Sequence, residues 1–87
     1  MASVDDVVGQ LGAAKKSLEE SKTNAESAGS TTEEMIHSSA GMGMDSMAQA
    51  LQALRGQINN LVEQADGLAN SVDGLVEAAE AIREASP

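Results

Sequence analysis

Residues 44–82 read MDSMAQALQALRGQINNLVEQADGLANSVDGLVEAAEAI. Within this stretch Met44, Met47, Leu51, Leu54, Ile58, Leu61, Ala65, Leu68, Val72, Leu75, Ala79 and Ile82 recur at alternating steps of three and four. That spacing is the a/d repeat of a coiled-coil helix, and none of these positions is charged. With Met44 as an a position, Ala48, Val62, Ala69 and Val76 add a third apolar column at e. Columns a, d and e together are wider than one neighbouring helix can cover.

The same repeat runs back to the N-terminus. Val4, Val7, Leu11, Ala14, Leu18, Ser21, Ala25, Ala28, Thr32 and Met35 hold the a and d positions there, with Val8 at e. This stripe is thinner, because half of its members are small or polar. The charges obey the same frame. All 14 acidic residues stand at b, c or f, for example Asp5, Glu19, Glu26, Glu33, Glu63, Asp66, Asp73, Glu77, Glu80 and Glu84. Four of the five basic residues, Lys15, Lys22, Arg55 and Arg83, stand at e, where their stems can lie along a seam while the charges reach water. Column g is uncharged, from Gln10, Ser17, Asn24 and Thr31 to Ala50, Gln57, Gln64, Ser71, Ala78 and Ala85.

The helix ends are also written in the sequence. Ser3 followed by Asp6 has capping-box spacing, with Asp in place of the usual Glu, and Asp5 and Asp6 suit the positive end of a helix dipole. Gly41-Met42-Gly43-Met44 interrupts the pattern and reads as a turn with Gly41 or Gly43 as the helix stop. Asp45 favours the start of the second helix, and Ser86-Pro87 reads as its end. Gly29-Ser30-Thr31-Thr32 is the softest stretch of the first arm, with Ser30 and Glu33 again in capping-box spacing. The heptad frame passes through it unchanged, which predicts a continuous but weakened or kinked helix.

The expected architecture is therefore all-α: a single domain over residues 1–87 folded as an antiparallel two-helix hairpin. Helix 1 spans about 3–40, the turn about 41–43 and helix 2 about 44–85. At ~1.5 Å per residue the arms are roughly 57 and 63 Å long. A short turn makes them antiparallel neighbours, pairing positions whose numbers sum to about 82–84. Leu18 then meets Ala65, Ala25 and Ala28 meet Ile58 and Leu54, and Val8 meets Val76. The surplus apolar width predicts assembly of two hairpins into a four-helix bundle, with a copy of itself or a related protein. The expected partner interface is Met47, Leu51, Leu54, Ile58, Leu61, Val62, Leu68, Val72, Leu75, Val76 and Ile82 on the second arm and Val4, Val8, Leu11 and Leu18 on the first.

Composition removes several function classes. With 87 residues and no Cys, a disulfide framework and a thiolate metal site are both out of reach. With no Trp, Tyr or Phe there is no platform on which bases could stack. A net charge of -9 is repelled by phosphate backbones and anionic membranes. No apolar run is long enough to span a bilayer. The acidic start, Ala2-Ser3-Val4-Asp5-Asp6, predicts no cleavable secretory signal. The chain is expected to be cytoplasmic when made, with export open only to a route that needs no such signal.

Candidate chemistry is sparse. Glu34 and His37 have the Glu-x-x-His spacing of carboxylate-bridged di-iron bundles, but they fall at c and f, away from any bundle interior. Met35, Met42, Met44 and Met47 cluster about the turn, where soft sulfur could hold Cu(I). The plainer reading, an adaptable apolar tip, fits them better. The acid pairs Asp5-Asp6, Glu19-Glu20 and Glu33-Glu34 read as solvated helix faces. No catalytic residue, metal or cofactor is expected.

The layout resembles the WXG family of type VII secretion proteins. The resemblance is carried by Gly41-Met42-Gly43-Met44 between two heptad arms, and by the stretch from Ser39 to Leu54, which is also similar to small actinobacterial hairpin proteins that accompany secreted toxins. This chain has neither the Trp of the family's Trp-x-Gly turn nor the Tyr of its export signal. The resemblance implies a non-enzymatic, secretion-associated adaptor or chaperone that pairs with another helical protein, such as an exported toxin. The alternative, from the residues alone, is a self-associating structural bundle protein with no secretion role.

Overall fold

The computed structural model describes residues 2–85. Two helices, α1 (Val4–Gly41) and α2 (Asp45–Ala85), pack against each other as an antiparallel hairpin 69 Å long and 16 by 14 Å in section. The expected end at Ser86-Pro87 lies outside the described residues.

Helix α1 begins with the capping box expected from Ser3 and Asp6. The Asp6 N–H donates to Ser3 Oγ at 3.3 Å, and the Ser3 N–H donates to Asp6 Oδ2 at 3.0 Å. Two donors that the first turn cannot satisfy internally are thereby satisfied. The helix runs unbroken through Gly29 to Gly41. Thr32 holds its place in the soft stretch by donating its hydroxyl to the Ala28 carbonyl at 2.7 Å, which lets a polar side chain be buried without loss.

The stop glycine is Gly43, not Gly41. Gly43 adopts φ +74°, the left-handed conformation that costs a residue with a Cβ. The Gly43 N–H donates to the Ala40 carbonyl at 3.1 Å and the Met44 N–H donates to the Ser39 carbonyl at 2.8 Å. These are the two bonds of a Schellman motif, so the last carbonyls of α1 are satisfied by the turn itself. The Met44 carbonyl then accepts from the Ala48 N–H and α2 has begun.

Moving the apex toward Met44 moves the register. Lys15–Asp73, Lys22–Asp66, Glu33–Arg55 and Asp5–Arg83 are ion pairs across the hairpin, and each pair of numbers sums to 88. The expected sum of about 82–84 is thus corrected by about one helical turn. Val8 lies level with Ala79 and Glu80 rather than Val76.

The seam uses columns a and e instead of a and d. Ala25, Gly29, Thr32, Ile36 and Ser39 are buried on α1, and Ala48, Ala65 and Ala79 on α2. Val4, Val8, Leu11, Lys15, Leu18 and Lys22 continue the line on α1, half-buried, as do Leu51, Arg55, Ile58, Val62, Ala69, Val72 and Val76 on α2. Small residues at the centre of the seam let the axes approach closely. Among the described residues no large side chain is fully buried, so the hairpin has a seam but no deep core.

Candidate partner-docking face

A seam along a and e leaves the two sides of the hairpin unlike each other. Columns b of both helices border one side. Glu19, Glu26, Asp66 and Asp73 line a shared groove there with Lys15 and Lys22. Lys15 Nζ stands 2.8 Å from Asp73 Oδ1, Lys22 Nζ 2.7 Å from Asp66 Oδ1, and Arg83 Nη1 2.6 Å from Asp5 Oδ1. Each cation is held charged above its ordinary range, first by its hydrogen bond to the opposing carboxylate and then by that carboxylate's attraction. Arg55 Nε lies 3.7 Å from Glu33 Oε2. The e-column cations therefore lie along the seam, as expected, and each joins an acid of the opposite helix.

Columns d of both helices border the other side. Met35 and Met47 line one groove near the turn, together with Thr31, Glu34, Ser38, Ser39, Met42 and Met44. Farther along α2, Leu54, Leu61, Leu68, Leu75 and Ile82 stand at seven-residue intervals with 44–59% of their surface in solvent. Val7 is similarly exposed on α1, and the α1 column between Val7 and Met35 is the small set Ala14, Ser21 and Ala28. No charged residue stands in column d, nor in column g beside it. The result is a ridge of leucines beside a trough of small residues, on uncharged columns of an acidic rod, with Glu34 at the edge of the groove near the turn.

Isolated exposed leucines need no explanation, but a contiguous row does. Five large aliphatic side chains at one heptad position have the spacing of a coiled-coil seam. Compared with family models, curated proteins and solved structures, the chain matches none. The site must be read from its own geometry.

The expected interface residues divide into two groups. Leu51, Ile58, Val62, Val72, Val76, Val4, Val8, Leu11 and Leu18 lie in the hairpin's own seam, while Met47, Leu54, Leu61, Leu68, Leu75 and Ile82 face outward. The turn residues Gly41, Met42, Gly43 and Met44 lie at the tip, where Met42 is the most exposed large apolar side chain among the described residues. Sequence reasoning passed over Ala14, Ser21 and Ala28 as part of the outer face. Their smallness was visible, but which side they lined depended on the seam.

Other candidate chemistry is dispersed. The His37 imidazole is largely in solvent, with Nε2 3.6 Å from Glu33 Oε1 one turn back. Glu34 is exposed on a different column. Among the described residues no three His, Cys, Asp or Glu side chains gather where a metal could sit. None of the described helices is long and apolar enough to cross a membrane.

Proposed function

We propose that this chain is a non-enzymatic helix-docking module that acts by presenting the d-column face of α2 to another helical protein. One observation carries the reading: Leu54, Leu61, Leu68 and Leu75 are half-exposed in heptad register, in a column that bears no charge and beside another that bears none. A solvated helix face is normally polar, and an apolar stripe of this length costs solubility unless something covers it. The occupant is itself a helix, because a row repeating every seven residues matches the knobs and holes of another helix. The secretion-linked adaptor role implied by the resemblance to the WXG family would use this same face, and that role rests on the layout alone.

The test is site-specific photo-crosslinking in cells that make the protein. A crosslinking residue at position 61 is expected to give one discrete adduct, and the same residue at Glu63, on another face of α2, is expected to give none. Equal labelling from both positions, or none from either, would sink the proposal.

A further inference from the structure

We infer that the occupant of this face is a second copy of the same chain, related by a two-fold axis along the long axis of the hairpin so that both turns lie at the same end. The inference rests on the helix-docking reading and supplies its partner. Its first support is shape. The register that pairs Lys15 with Asp73 and Lys22 with Asp66 also sets Leu75 level with Ala14, Leu68 level with Ser21 and Leu61 level with Ala28. Three of the four leucines of the ridge thus stand beside a small residue of the trough, and Leu54 stands beside Met35. A two-fold along the rod preserves height and exchanges ridge with trough, so Leu61, Leu68 and Leu75 of one copy land over Ala28, Ser21 and Ala14 of the other, and Leu54 lands over the adaptable Met35. The perpendicular two-fold would stack leucine ridge on leucine ridge and leave the troughs empty. Close packing favours the first arrangement.

Charge is the second support. A chain with a net charge of -9 should repel its copy, yet all its acids stand outside columns d and g. Two copies meeting on those columns bury no charge and turn their acidic grooves outward on opposite sides. Only short-range packing acts at the contact, while the like charges stay apart in water.

Area is the third. The hairpin exposes 6054 Å² for a mass of 8.9 kDa, against roughly 4,800 Å² for a compact monomer of that mass. The excess of about 1,200 Å² per chain is the surface of an elongated rod, and a contact along one side of two such rods has the scale of about 2,000 Å² that homodimers bury.

The experiment combines light scattering of the purified chain over a concentration series with spin labels at Met42→Cys. The chain has no Cys of its own, so a single label marks the tip. The expected result is a mass near twice 8.9 kDa and a tip-to-tip distance far below the 69 Å rod length. Leu61→Glu with Leu68→Glu should lower the mass to the monomer while helical content is retained. A dimer whose labels lie a rod length apart overturns the arrangement. A dimer that survives both substitutions overturns the face. A monomer at every concentration, beside a crosslinked adduct of some other mass from position 61, overturns the second copy and leaves the helix-docking reading standing. A monomer with no adduct removes both. Should the double substitution unfold the chain, the mass and label distance of the unsubstituted face still decide.

Discussion

The guanidinium of Arg55 lies across the backbone of Gly29 on the opposite helix, filling the space that a side chain at 29 would need. A Cβ built there would contact Arg55 Nη1, with Arg55 Cζ at 3.1 Å and Ile58 Cγ2 at 3.4 Å. The glycine inside the softest stretch of α1 is thus a seat for an arginine from α2, and the same arginine reaches Glu33. Sequence alone suggested a weak point at this position. The structure makes it a crossing point.

Gly29→Ala follows from that relationship. The obstacle is the far end of a flexible side chain, so Arg55 can swing aside at the expense of a surface ion pair worth little. Alanine meanwhile gains about 0.5–1 kcal/mol of helix stability over glycine. The urea midpoint is expected to hold or rise slightly, whereas Gly29→Leu should cost about 1–3 kcal/mol by overfilling the seam. An alanine variant more than about 1 kcal/mol less stable would show that Arg55 contributes more through its packing than a surface pair allows.

The two turn glycines should respond in opposite directions. Gly41 is helical with open space around it, so Gly41→Ala should stabilise by about 0.5 kcal/mol. Gly43 sits at φ +74°, so Gly43→Ala should destabilise by about 1 kcal/mol or more despite equally open space. Thermal melts of the pair at equal concentration separate conformation from crowding, and like signs would refute the assignment of Gly43 as the stop.

Ser3→Ala removes one half of the capping box. A loss of about 1 kcal/mol is expected, and Ser3→Ala with Asp6→Ala should cost less than the two single losses combined. Full additivity in a double-mutant cycle would mean that the two reciprocal bonds act independently.

High pH tests the ion pairs. Folding raises the Lys15 and Lys22 pKa above the ordinary 10.5, chiefly through hydrogen bonds to Asp73 and Asp66. A raised cation pKa means that the stabilisation is complete below the unfolded value and is lost as pH rises through the folded one. Stability is therefore expected to hold to about pH 10 and decline above it, and Lys15→Gln with Lys22→Gln should flatten the decline. If the double variant declines as steeply as the parent, the pairs are not its source.

Ile36 and Leu61 separate the inner seam from the outer face. Ile36 is buried, and Ile36→Ala should cost about 2–4 kcal/mol at any protein concentration. Under the two-copy arrangement proposed above, the loss from Leu61→Ala should grow with protein concentration. A Leu61→Ala loss equal at all concentrations would assign Leu61 to the hairpin's own packing.

The sequence by itself determined two long helices, where they start, that they fold back on each other, and that their charges keep off the apolar columns. These are local properties: a period of three and four, a Ser-x-x-Asp cap and a glycine-bearing turn act through neighbours along the chain. It did not determine which apolar columns face inward. Columns a, d and e all look like seam from one helix alone, and the leucines at d look more so than the lysines and arginines at e. Tertiary structure decided for a and e, because small residues at 25, 29, 48 and 65 bring the axes together and each e-column cation finds an acid on the opposite helix. That choice needs both helices in one register, and the register is set by Gly43 at the apex. Turning Leu54, Leu61, Leu68 and Leu75 outward is the consequence, and it leaves exposed a stripe that otherwise reads as core.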